Sequence, residues 1–100
     1  MQSIVDTWPV SHWLDDYVVE EVLGGLPEAV REFVLRTANL PELTPQLCDE
    51  VLGIETSAAL IDEVRRRLVF VRPVDVNGDA LAYHALFAES AGRIADRALP

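Results

Sequence analysis

The chain has no lysine: its eight basic residues are all arginine, set against 17 acids for a formal charge of −9. Such a deficit of positive charge repels phosphate backbones unless the arginines gather on one surface, which disfavours nucleic-acid binding. One cysteine, Cys48, excludes an intramolecular disulfide and leaves a Cys-based zinc site without partners, in keeping with a reducing, cytoplasmic setting. Uncharged stretches such as Thr7 to Leu14 fall far short of the ~20 apolar residues that a membrane span requires, and no basic region precedes an apolar core at the N-terminus, so neither anchor nor export signal is expected. A glycine-rich phosphate loop, a Gly-x-Ser-x-Gly elbow and a His-Glu-x-x-His pair are missing as well, which argues against catalysis by this chain alone.

What is present is a globular composition, 50% apolar and 25% charged over 100 residues, the size of one domain. From Trp13 to Leu23, Leu14, Tyr17, Val18 and Val22 recur at helical spacing, with Asp15, Asp16, Glu20 and Glu21 expected on the opposite, solvated face. Gly24-Gly25 stops this helix, and Pro27 then suits the first turn of a second one, whose stripe is Val30, Phe33, Val34 and Thr37. Glu28 and Arg36 complement its dipole, and Asn39 and Pro41 end it. Thr44 can cap a third helix with Pro45 at its first position, in which Leu47, Cys48, Val51 and Leu52 share a face up to Gly53. Thr56 or Ser57 can cap a fourth, with Leu60, Ile61, Val64 and Leu68 inward.

The period then changes. Leu68 to Val74 is rich in β-branched and aromatic residues, Asn77-Gly78 is a favoured two-residue hairpin turn, and Ala80 to Tyr83 reads as the returning strand. A last helix follows, with Phe87, Ala91, Ile94, Ala95 and Ala98 on its packing side. The expected fold is mainly α with a small β-hairpin, a winged-helix-like helical domain over residues 14–98 after a lead-in over 1–13. An orthogonal bundle with an incidental hairpin would give similar periodicities.

Charge is segregated along the chain: residues 1–63 sum to −11 and residues 64–100 to +2. Arg65, Arg66 and Arg67 lead into the strand bearing Arg72, so an interaction patch for an acidic partner is one reading, and a solvated helix end favoured by the dipole is the other. The third helix, where direct DNA readout would want basic residues, carries Asp49 and Glu50 and no arginine. Cys48 on an apolar face reads as packing rather than as a nucleophile, and the carboxylates of the first helix read as solvated charge rather than as a metal cluster. His84 stands where the returning strand meets the last helix, a place where an imidazole donor and helix N-terminal N–H groups could meet an anion together.

The wording of the chain is also familiar. Asp16-Tyr17-Val18-Val19-Glu20-Glu21-Val22-Leu23, Leu26-Pro27, Val30 to Thr37, Leu47-Cys48-Asp49, Val51-Leu52-Gly53, Ser57 to Leu60 and Tyr83-His84-Ala85-Leu86-Phe87 resemble the stretch that follows the nucleotide-binding module in MalT-like, LuxR-family transcriptional regulators of the STAND NTPase class. The resemblance covers roughly residues 14–98. It implies a winged-helix regulatory module, distinct from the DNA-reading domain, that docks on a nucleotide-binding domain. It further implies ADP or ATP as the cofactor of the full-length protein, with none held by this segment alone, and His84, beside Tyr83, as the contact to the phosphates of ADP. The family's arginine before the Tyr-His pair has no counterpart here, since Ala82 stands in its place. A free-standing protein-interaction domain using the acidic face of Asp15, Asp16, Glu20 and Glu21 is the alternative, and DNA binding through the wing and Arg65 to Arg67 is a third.

Overall fold

Thr44 shows how directly sequence sets local structure: its Oγ1 accepts the Leu47 N–H at 3.1 Å, with Pro45 opening the helix where an N–H has no partner to find. The computed structural model describes residues 10–68, 70–77 and 80–99, with side chains from Trp13 onward. Their elements are α1 (Val10–Tyr17), α2 (Glu28–Thr37), α3 (Pro45–Leu52), α4 (Ser57–Arg67), β1 (Val71–Pro73), β2 (Leu81–Tyr83) and α5 (Ala85–Ala98). Gly53, at φ 68°, ends α3 in the left-handed conformation that glycine adopts without a Cβ penalty.

The buried face of α2 is the expected stripe, Val30, Phe33, Val34 and Thr37, with Glu28 and Arg36 at its two ends. Pro27 stands one residue earlier than expected, as the N-cap. The first helix departs further from expectation. It begins at Val10, and after Tyr17 it widens into a π-helical segment, Val18–Val22, before a 3-10 turn, Leu23–Gly25. The wider turn puts residues five apart in line, so Val18 and Leu23 are both buried while Val22 is only half-buried. Tyr17, expected inside, is 52% exposed, and Asp15, expected in water, is 6% exposed.

In α3 Cys48 is fully buried, whereas Val51 is exposed because the short helix turns that flank away from the core. Thr56 occupies the N-cap position of α4, as expected, but its side chain makes no capping hydrogen bond. Asp49 of α3 reaches across, its Oδ1 accepting the Ser57 N–H at 3.0 Å, and Ser57 Oγ is buried without a partner among the described residues. On α5 the expected stripe is buried except for Ala98, which the last turn leaves exposed.

The strands pair antiparallel, Val71 with Tyr83, Arg72 with Ala82 and Pro73 with Leu81. The Val74 N–H donates to Ala80 O at 3.0 Å in the same register. The turn expected on Asn77-Gly78 falls on Gly78, which lies outside the described residues. Asp75 Oδ1 accepts the Ala80 N–H at 3.3 Å at the base of the loop. On its other side β2 is bridged by Leu43, with N–H···O distances of 2.6 and 3.1 Å. Among the described residues, β2 is thus flanked on both sides and β1 forms the open edge. Because Phe70 and Val74 bond inward to β2, alternation turns the nitrogen of Pro73 outward.

Candidate functional site

Three aromatic side chains position the junction between β2 and α5. Phe87, 2% exposed, stacks on Phe70 with ring centroids 5.3 Å apart and meets Tyr83 at 5.6 Å. Tyr83 faces inward, its hydroxyl donating to Thr37 Oγ1 at 2.7 Å while Thr37 donates to Phe33 O at 2.8 Å. Burial pushes the Tyr83 phenol well above its ordinary range, so it stays protonated. Strand alternation then turns the neighbouring residue, His84, outward.

His84 is the N-cap of α5. Its ring is exposed, its N–H donates to Phe70 O at 2.7 Å, and its Nδ1 accepts the Leu86 N–H at 3.2 Å. A nitrogen that accepts from an amide carries no proton, so the neutral ring bears its hydrogen on Nε2. The helix end therefore fixes both the tautomer and the tilt of the imidazole, leaving one donor for an external acceptor. The ring borders an apolar groove of about 200 Å³, walled by Leu14, Tyr17 and Val18 on one side and by Phe70, Leu86 and Phe87 on the other.

The arginine run does not present a single face. Arg65 pairs with Asp62 at 2.9 Å, Arg66 pairs with Glu63, and Arg67 Nε donates to Glu63 Oε2 at 2.7 Å. Arg65 lines one cleft together with Thr44 and Asp75, whereas Arg67 lines another together with Tyr17 and Glu21, because successive helical residues diverge by about 100°. Arg72 is exposed on β1. Within the first helix the acidic set divides: Asp16, Glu20 and Glu21 are exposed, while Asp15 is drawn into α5 by Ser90 and Arg93. Sequence spacing could not reveal this, since the partners lie 75 and 78 residues away.

Burial raises the pKa of the Cys48 thiol, as expected of a packing residue. Among the described residues, no group of three or more His, Cys, Asp or Glu side chains could hold a metal ion, and no helix is long and apolar enough to cross a membrane.

A helical body, a two-stranded wing and a single-residue bridge from Leu43 to β2 define a winged-helix domain. The chain belongs to the MalT winged helix domain family, which it matches over residues 19–100. It is 34% identical over 74 residues to the HTH-type transcriptional regulator MalT of Cronobacter sakazakii (strain ATCC BAA-894), a match covering 74% of this chain and 8% of that protein. The chain thus spans a small fraction of the curated relative's length.

Proposed function

We propose that this domain is the regulatory winged-helix arm of a MalT-like, LuxR-family transcriptional regulator of the STAND class. It works in the cytoplasm, docks on a nucleotide-binding domain and helps hold the ADP-bound resting state. It acts by contact rather than by catalysis, and the DNA-reading helices belong to another part of the full-length protein. The observation that carries this reading is the geometry of His84: Nδ1 is held by the Leu86 N–H, so Nε2–H is the donor offered outward at the start of α5. A donor fixed at a helix N-terminus suits a phosphate oxygen, because the helix dipole favours negative charge there. Tyr83 contributes by anchoring the strand that carries the ring, through its bond to Thr37.

The test is His84→Ala in the full-length regulator. The expected result is faster ADP release together with raised basal transcription without inducer; an unchanged ADP off-rate and unchanged output would overturn the reading.

A further inference from the structure

We propose that the apolar groove beside His84 receives one large aliphatic or aromatic side chain from the nucleotide-binding domain, with basic residues of that domain set against the carboxylates that flank the groove. The inference rests on the docking proposed above and names the face that docks. The groove, of about 200 Å³, is aliphatic and aromatic apart from His84. Its rims are open to water: Tyr17 on one wall is 52% exposed and Leu86 on the other is 57% exposed, while Val18 and Phe87 between them are buried. Apolar side chains exposed singly are ordinary, but a concave apolar surface with large side chains raised on both rims fits the anchor of a partner.

Charge selects the partner. Glu21 lines the adjoining cleft together with Tyr17, and Glu89 follows Leu86 by three residues on α5; both are exposed. The guanidiniums nearest to them are engaged with other carboxylates, Arg67 with Glu63 and Arg93 with Asp15. Both rims therefore present negative charge beside an apolar tip, in a chain whose formal charge of −9 repels a second copy and any anionic surface. A domain that holds phosphates gathers Lys and Arg around them. His84, whose Nε2–H is assigned to a phosphate oxygen, is itself part of the groove wall, so the same contact brings the groove against that cationic surface.

Hydroxyl-radical footprinting read by mass spectrometry tests this, on the full-length regulator with ADP and on this chain alone. Tyr17 and Leu86 are expected to oxidise at least about fivefold more slowly in the regulator, because an anchored groove excludes water; equal rates would overturn the proposal. Leu86→benzoylphenylalanine, at an exposed position, is expected on irradiation to cross-link to a peptide of the nucleotide-binding domain, and a cross-link to any other part of the regulator would overturn it. Glu21→Lys combined with Glu89→Lys should return the oxidation of both rims to within about twofold of the rate in this chain alone, since like charges would then face each other; retained protection would count against the proposal. The two readings fail separately. Faster ADP release in His84→Ala with equally oxidised rims would keep the phosphate contact and remove the groove, whereas protected rims with unchanged ADP release would do the reverse.

Discussion

Asp15 and Arg93, 78 residues apart in sequence, lie side by side, with two guanidinium nitrogens 3.0 and 2.8 Å from the two carboxylate oxygens. The pair fastens the start of the described chain to its last helix, and its geometry is the bidentate one in which arginine outperforms any other cation.

That pair makes stability depend on acid in a defined direction. Donation from Arg93, helped by Ser90 and opposed by burial, holds the Asp15 carboxyl below its ordinary pKa of 3.8. Its contribution is therefore complete above 3.8 and is lost as pH falls through the lower folded-state value. Asp15→Asn should cost about 1–3 kcal/mol at pH 7. Urea unfolding of both proteins across the acid range should show the difference shrinking as the carboxyl of the unmodified chain takes up its proton; a gap that widened in acid would contradict the assignment.

The aromatic triad at the wing base predicts a sharp contrast between neighbours. Phe87→Ala removes a ring that touches both Phe70 and Tyr83, with an expected loss of about 3–5 kcal/mol. Leu86→Ala, at a side chain 57% exposed, should change stability by less than about 0.5 kcal/mol. Thermal or denaturant unfolding of the two variants decides it.

Thr37 and Tyr83 share one buried bond, but cutting it from the two sides is not equivalent. Thr37→Val strands the Tyr83 hydroxyl in the core, at a cost of about 1–3 kcal/mol. Tyr83→Phe leaves Thr37 still donating to Phe33 O, so the loss should be smaller, about 0.5–1.5 kcal/mol. A double-mutant cycle measures both, and the reverse order would show that the donor has been misassigned.

Two glycines should respond differently to alanine. Gly53→Ala forces a Cβ onto a residue at φ 68° and should cost about 1–2 kcal/mol. At Gly92, inside α5, an added Cβ would come within 2.9 Å of Asn39 Oδ1, the tip of an exposed side chain that can swing away. Alanine also favours the helix by about 0.5–1 kcal/mol, so Gly92→Ala should be neutral or stabilising in the same urea assay.

The legible parts of the fold were those set by local chemistry. The stripe of α2, the Thr44-Pro45 cap and the turn at Gly53 depend on residues within a few positions of one another, and a regular period reports them. Where the period changes, the pattern misleads: the π-helical turn brings Leu23 into line with Val18 and releases Tyr17. Leu43 forms a strand contact one residue long, too short to leave an alternation. The cap from Asp49 and the ion pair at Asp15 depend on partners supplied by other elements. At the site, the location of His84 between strand and helix was readable, because Tyr83 and Phe87 flank it as core residues. Its use of Nδ1 as a cap was not, since histidine is not among the preferred capping residues.

The open edge of the wing carries one further consequence. Pro73 turns toward solvent a nitrogen that has no hydrogen to give, on a strand only three residues long. A foreign strand laid along that edge would find its ladder broken at once, so copies of this domain crowded together should remain separate bodies instead of joining into a continuous sheet.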